Sequence, residues 1–438
     1  MPSGDELHAP RRHGWSAYRP SAIVFCHSNP ENGALMVEFL ATHLYGLANL
    51  SFWGYVGVTL LWMHVTMIGI TLYFHRDQAH RSVDLHPAVR HFFRFWLWMN
   101  TGASTREWVA VHRKHHAHCE QEGDPHSPKL FGLSTVVWQG AELYRAEAGK
   151  PETVEKYGRG TPDDWIERNV YSRFSYSGIV VLAVVDLIVF GVPGITMLAC
   201  QLGTMPMLAA GVINGLCHAI GYRNFETRDA STNLWPIGLF VAGEELHNNH
   251  HAFPTSARFS MRHHEIDMGW LHLKVLSALG LARIRRIATL PELTQETKVP
   301  DLDSLSAVIV NRMHVLRHYT NNVTLPVLRL ELDQLGENAN SVFRAAKRLL
   351  SWHPQMLDES SSKRLAELVE RHPGVQTVLE YRNELNSLWE GAHTSNERLL
   401  ADFREWCRRA EASGIQGMAD FVVYLRSFRS VPEQVSAA

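Results

Sequence analysis

The stretch "FWGYVGVTLLWMHVTMIGITLYFHRDQAH", residues 52–80, runs for 23 residues (52–74) without an Asp, Glu, Lys or Arg and then closes on two histidines. A bilayer crossing takes about 20 apolar residues, so 52–74 predicts a membrane-spanning helix that delivers His75 and His80 to the aqueous interface. Positions i and i+5 do not share a face of an ideal α-helix, so the helix is expected to end or bend between them. Residues 178–222 hold about two further spans' worth of apolar sequence, broken by Asp186, by Gly and Pro at 191–194 and by "TMP" at 204–206; this reads as a helical hairpin. "HFFRFWLWMNTGA", 91–103, is too short to cross and carries Arg94, so an interfacial or re-entrant helix is expected. The 14 Lys and Arg of segment 75–177 place it on the cytoplasmic side, and the hairpin returns residue 223 onward to that same side.

Two stretches within that compartment repeat one pattern. "VHRKHHAH" carries His112, His115 and His116, and "EELHNNHHAF" carries His247, His250 and His251, both as H-x-x-H-H. With 26 histidines in 438 residues, such a triplet should arise by chance about 0.1 times. On a helix, i, i+3 and i+4 lie on one face, so each triplet aims three imidazoles at one place. His218 in "NGLCHAIGY" joins them from the end of the hairpin, with Asn214 four residues behind it. His75, His80, His112, His115, His116, His218, His247, His250 and His251 make nine imidazoles, about right for two metals and too many for one. Carboxylate ligands of the kind used by soluble di-iron oxygenases or di-zinc hydrolases are not apparent. Asp77, Glu107, Asp124, Glu244 and Glu245 stand beside the boxes and are candidates to accept the imidazole N–H groups. His64, His86, His91, His118, His263 and His264 are left as ordinary hydrogen-bonded or solvated groups.

Net charge is −2, from 42 basic and 44 acidic residues, which supplies no electrostatic argument for a nucleic-acid partner. Five scattered cysteines without a C-x-x-C pair point to a reducing compartment and no thiolate metal site. The opening "MPSGDELHAPRRHG" lacks the layout of a secretory signal. The character changes near residue 296, where a polar linker, "QETKVPDLDSL", leads into amphipathic stretches such as "SSKRLAELVERH" and "NERLLADFREWCRRAEASG". "RHPGVQ", 371–376, has the look of a heme-ligand turn, but its helical surroundings and lack of a matched second histidine assign it to chance.

"HRDQAHRS", "EWVAVHRKHHAHCEQEGDPHSP", "NGLCHAIGYRN" and "GEELHNNHHAFP" together resemble the three histidine boxes, plus the extra Asn-x-x-x-His, of membrane fatty acyl desaturases. The resemblance spans roughly 35–285 and is nearest to bacterial delta-9 acyl-lipid or acyl-CoA desaturases. It implies that the nine histidines bind two irons (zinc being able to take their place in a preparation) and that Asn214 reaches a metal through water. The family has four spans; here the first, due around 33–50, is degenerate. The C-terminal helices are also similar to the tail of some transposases, with no acidic triad to carry that chemistry.

The expected fold class is therefore all-α: an integral membrane helical bundle with a cytoplasmic helical cap over a dimetal site, followed by a C-terminal helical domain. The expected division is an N-terminal extension over 1–34, a desaturase domain over 35–295 and a cytoplasmic helical domain over 296–438. The expected protein is a multi-pass enzyme of the bacterial inner membrane. It would use O2 and two irons to place a cis double bond in the acyl chain of a phospholipid or an acyl thioester such as acyl-CoA. Electrons would come from a ferredoxin- or rubredoxin-type donor and its reductase. Zinc lacks the redox chemistry that unactivated C–H bonds require, so iron is the functional choice. Hydroxylation, or oxidative decarboxylation to a terminal alkene, would use the same ligands; a di-zinc hydrolase and a histidine-rich metal transporter are more distant alternatives. Arg76, Arg81, Lys114 and Arg223 are candidates to meet an anionic head group. The acyl chain itself is expected in an apolar tunnel between the span ends and the cytoplasmic helices.

Overall fold

The computed structural model describes residues 44–288, 291–294, 299–335, 339–350, 352–389 and 395–429. The expected N-terminal extension, most of the degenerate first span and the start of the linker, 295–298, lie outside them. Helix α1, Phe52–Gly69, starts where the Ser51 hydroxyl accepts from Gly54 N–H, and it continues without a break as a π-helical run, Ile70–Ala79. The run ends at Ala79, between His75 and His80 as expected, with His80 as its C-cap. Its wider winding closes i→i+5 hydrogen bonds, His80 N–H to the His75 carbonyl among them at 3.0 Å, so residues five apart come onto one face. The sequence argument assumed α winding up to that end; the π winding is what it did not foresee.

Helix α2, Pro87–Thr101, has proline at its first turn and stops at Gly102, in the left-handed region at φ 65°. Ser104 then caps α3, Thr105–His118, by accepting from Glu107 N–H. Helix α4, Leu133–Ala148, packs on the far end of the hairpin. The hairpin is α5, Ser177–Phe190, and α6, Val192–Pro206, the latter extended by a π run, Met207–Gly215, and a short 3-10 turn, Leu216–His218. Gly191 makes the turn at φ 65°, and a Cβ there would fall 2.2 Å from the Leu44 carbonyl oxygen. The third histidine box forms α7, His247–Ala252, and α8, Met268–Ala278, follows it. Strand pairs are minor: Val83–Leu85 lies antiparallel to Ala282–Ile284, and Ile237–Gly238 parallel to Ile266–Asp267. The described chain is overwhelmingly helical.

Two helical runs are long and apolar enough to cross a membrane, Phe52–Ala79 and Val192–His218; Ser177–Phe190 is apolar but shorter, at 14 residues. At 1.5 Å per residue the first two reach about 40 Å, whereas α5 reaches only about 21 Å. The three lie side by side. Leu47 N–H and Ala48 N–H bond the carbonyls of Ile188 and Val189, and Tyr55 meets Phe190 edge-on at 6.3 Å, so the start of α1 and the hairpin turn share one end. His75 and His218 share the other. Leu60, Leu61, Val180, Ile188 and Ile195, on the flanks between, are each at least 55% exposed, an apolar belt that water does not favour.

The apolar interior is divided. One cluster, including Met67, Leu72, Phe74, Leu97 and Leu273, lies under the histidine end of α1. Another, including Val308, Tyr319, Leu385, Trp406 and Phe421, belongs to the C-terminal helices. Those helices are α9 Leu302–Val310, α10 Arg312–Tyr319, α11 Leu325–Leu335, α12 Ala339–Leu350, α13 Glu359–Arg371, α14 Pro373–Leu388, α15 Asn396–Glu411 and α16 Gln416–Arg426. Asp301 and Ser304 open the bundle with a reciprocal capping box. His372 of "RHPGVQ" is a buried residue preceding α14, with Nδ1 3.6 Å from Glu331.

Candidate metal centre

The nine histidines converge at the end of α1 and sort into two groups. His75, His80, His112, His116 and His250 form the first; Nε2 separations are 3.1 Å (His75 to His250), 3.0 Å (His250 to His116) and 2.8 Å (His80 to His112). His115, His218 and His251 gather with Cys119 as the second, and His247 joins this set through its Nε2, 3.0 Å from His218 and 3.1 Å from His251. Each triplet is shared. The i, i+4 pair His112 and His116 joins one group while His115 joins the other; His247 and His251 join the second while His250 crosses to the first. The groups abut, with the His116 and His251 rings stacked at 4.5 Å.

Backbone strain is concentrated here. Of the four non-glycine residues at positive φ among the described residues, Arg81, Glu120 and Ala242 flank the boxes. Each lets the chain turn sharply beside a ligand-bearing segment, at a cost the surrounding packing must offset.

Four carboxylates face imidazole Nδ1 atoms: Glu244 to His75 at 2.7 Å, Asp124 to His115 at 2.9 Å, Glu120 to His218 at 2.8 Å and Asp229 to His251 at 2.9 Å. Burial pushes each carboxyl up, but its imidazole and other hydrogen-bond donors outweigh that, so all four end below their ordinary values. A carboxylate acceptor fixes the proton on Nδ1 and leaves the Nε2 lone pair facing inward. Burial, followed by neighbouring imidazoles, drives His80, His112, His116, His247 and His250 well below the usual histidine range; burial takes His251 down to about 4 against the pull of Asp229. Neutral rings are what a metal requires. Lone pairs crowded at 3 Å repel unless a cation lies among them. Ligands about 2.0–2.2 Å from a six-coordinate ion stand about 2.8–3.1 Å apart in adjacent positions, which is the spacing of these Nε2 atoms.

The remaining candidates are placed elsewhere. Asp77 accepts from Leu85 N–H at 3.0 Å and takes Arg90 at 2.6 Å, tying the exit of the first box to α2. Glu107 sits in the first turn of α3, pushed up by burial. Glu245 accepts the backbone N–H groups of Val241 and Gly243 at 2.9 and 3.1 Å, and burial raises it as well. Asn214 is half-buried at the end of the π run and bonds no described side chain.

None of the four head-group candidates is unengaged. Arg76 is fully buried on Asp267 at 2.9 Å, Arg81 reaches the Gly160 carbonyl, Lys114 holds Glu147 at 2.5 Å, and Arg223 braces a loop described below. The sequence reading missed Glu120 and Asp229. Glu120 stands beside the second box as openly as the carboxylates that were chosen; Asp229 lies in a loop with no local signal. It also passed over His126, stacked on His115 at 4.5 Å, and Cys119, whose Sγ is 3.6 Å from His115 Nε2.

A cavity of about 350 Å3 touches both groups at His80, His116 and His251, and a second, of about 540 Å3, runs from His251 and Asp229 to Arg312, His353 and Trp389 of the C-terminal helices. The larger is mainly polar, the smaller is lined about equally by polar and apolar surface, and neither is the expected apolar tunnel. Among the described residues, every cluster with metal-ligand geometry lies between His75 and His251.

Comparison with known proteins follows the same division. Residues 50–283 match the model of the fatty acid desaturase family, and residues 303–431 match a family described as a transposase. Over 255 residues the chain is 32% identical to delta-9 acyl-lipid desaturase 1 of Arabidopsis thaliana, covering 57% of this chain and 80% of that protein. It is 31% identical over 270 residues to the sn-1 stearoyl-lipid 9-desaturase of Anabaena variabilis, covering 57% and 92%. Against the enzyme of that name from Synechocystis sp. it is 32% identical over 272 residues, covering 57% and 79%. With more than half of its length matched by the family model and with relatives at 31–32% identity covered over 79–92% of their own length, this chain belongs to the fatty acid desaturase family and is an oxidoreductase.

Proposed function

We propose that the protein is an O2-dependent, two-iron acyl-lipid desaturase that places a cis double bond at the delta-9 position. The observation that carries this reading is the gathering of nine imidazoles in two adjoining sets of five and four, with ring nitrogens at about 3 Å from one another. The names of the relatives carry the delta-9 position and the lipid-bound substrate.

His75, His80, His112, His116 and His250 would hold one iron; His115, His218, His247 and His251 would hold the other, with Asn214 meeting that second iron through water. When bound, the irons supply the oxidising power to break unactivated C–H bonds, which no side chain possesses. Glu244, Asp124, Glu120 and Asp229 keep protons on Nδ1 and so keep the rings oriented. Loss of two hydrogens from adjacent methylenes, with O2 reduced to two waters, requires two further electrons and two protons. A ferredoxin- or rubredoxin-type carrier with its reductase would supply the electrons. The cavity at His80, His116 and His251 would let water and protons reach the centre from the cytoplasmic side.

The side-by-side runs of α1, α5 and α6, their exposed apolar belt and the 14 basic residues of segment 75–177 support a multi-pass protein of a bacterial inner membrane with its site on the cytoplasmic face. The test is the lipid profile of a bacterial host expressing the chain, with and without oxygen. Monounsaturated acyl chains with delta-9 bonds should accumulate only with oxygen. Hydroxylated chains or terminal alkenes in their place would overturn the reading.

A further inference from the structure

Asp229, which accepts from His251 at 2.9 Å, is held by a loop wound around a single guanidinium. Arg223 donates to the carbonyls of Thr227, Asp229 and Ser231 at 3.0, 2.9 and 2.7 Å, and Asp229 Oδ1 accepts from Ser231 N–H and the Thr227 hydroxyl. The C-terminal helices grip this loop from outside at three points. Trp352 lies under the Arg223 guanidinium at 4.5 Å. His314 meets Phe225 edge-on at 5.3 Å and stacks on Phe253, two residues past His251, at 5.1 Å. Arg382, buried on α14, pairs with Glu226, itself only 10% exposed. The cavity between the two parts has His251 and Asp229 in one wall.

We propose that the C-terminal helices are the outer support of the four-histidine group, with Arg382, Trp352 and His314 as positioning residues that hold Asp229 and, through it, His251. This rests on the two-metal reading above. The physical link is short. Without Arg382, Glu226 is left as an uncompensated buried charge. The loop must then open to hydrate it, and Asp229, three residues on, moves with it. His251 loses the acceptor that fixes its ring. The five-histidine group has no such dependence, because its carboxylate, Glu244, is bonded to Thr71 of α1 at 2.6 Å. The sequence alone argues the opposite, that removal of everything after about residue 295 leaves both metals in place.

The test uses the full-length, iron-loaded chain and competition with a chelator. Arg382→Ala and Trp352→Ala should each release one iron at about 10–100-fold lower chelator concentration than the parent, with the other unchanged. The double variant Glu226→Gln/Arg382→Met, which removes both charges and keeps the volume, should restore two parent-like irons. Trp352 is only half-buried, so its variant carries the test if Arg382→Ala does not fold. Both irons held at parent affinity in the single variants, or both weakened equally, overturns the inference and leaves the two-metal reading standing. A parent chain that takes up fewer than two irons overturns that reading, and the inference with it.

Discussion

Glu120 Oε1 lies 2.8 Å from Nδ1 of His218, and both side chains are sealed from solvent. Glu120 sits at φ 62° to make that contact, and the Ser127 hydroxyl donates to its other oxygen. A histidine standing alone at the end of an apolar helix is thereby turned toward the four-histidine group. Replacing His218 with Ala should abolish desaturation and lower bound metal while leaving the protein in the membrane. Glu120→Gln keeps an acceptor and loses the charge, so metal affinity should fall by about 10-fold, the low end for such outer partners. Metal content by mass spectrometry decides it; full content and activity in His218→Ala would reduce the ligand set to eight.

Asn214 should behave differently. Its side chain is half-buried and unclaimed by other side chains, so Asn214→Ala should retain both metals and cut turnover by about 10–100-fold, as expected for loss of an outer partner. A metal analysis showing one equivalent lost would instead make Asn214 a direct ligand.

Arg76 separates a structural role from a substrate-binding one. Its guanidinium is buried on Asp267 at 2.9 Å and packs 3.9 Å above the Phe259 ring, and Asp267 also caps α8 through Trp270 N–H. Arg76→Met leaves that carboxylate buried and uncompensated, so stability should fall by about 3–5 kcal/mol. Thermal unfolding in detergent measures it. A variant with unchanged Tm and a raised KM would restore the head-group role.

His314 sets a pH dependence. Burial, then the nearby Arg262, lowers it to about 4. Once unfolded, the ring takes up a proton near its ordinary 6.5, so below that pH the unfolded chain binds more protons than the folded one. Stability should therefore fall with acidification between about 6.5 and 4, by about 1.4 kcal/mol per pH unit from this one ring. His314→Phe preserves the stacking on Phe253 and removes the proton, so its stability profile should be flatter by that slope. An unchanged profile in denaturant titrations at stepped pH would contradict the assignment.

What was legible in the chain followed periodicity and spacing. The charge-free run 52–74 and the two H-x-x-H-H triplets report local geometry, and helices α1, α3 and α7 carry them; but each triplet, expected to aim at one place, is divided between the two groups. What was not legible depended on how separate segments meet. The π winding of Ile70–Ala79 carries no compositional mark, yet it decides that His75 and His80 share a face. Proximity in sequence suggested Asp77 and Glu245 as imidazole partners, but backbone N–H groups and Arg90 claim them. Asp229 reaches His251 only because Arg223 folds a loop 22 residues upstream of that histidine. The four basic residues offered for a head group looked available to a ligand; Arg76, Arg81 and Lys114 are occupied by partners distant in sequence, from Glu147 to Asp267, and Arg223 by the carbonyls of its own loop.

The sharing of each triplet between the two groups has a mechanical consequence. His112 and His116 answer to one centre and His115 to the other, while His247 and His251 answer to the second and His250 to the first. Two short helices are thus riveted across the same gap in opposite senses. With a metal in each group, as proposed above, neither centre could shift relative to the other by sliding one helix, because every such slide would stretch one set of bonds while slackening the other. The separation between the centres would then be an attribute of α-helical pitch, constant through turnover, and movement during the reaction would be left to the substrate and to the loops outside.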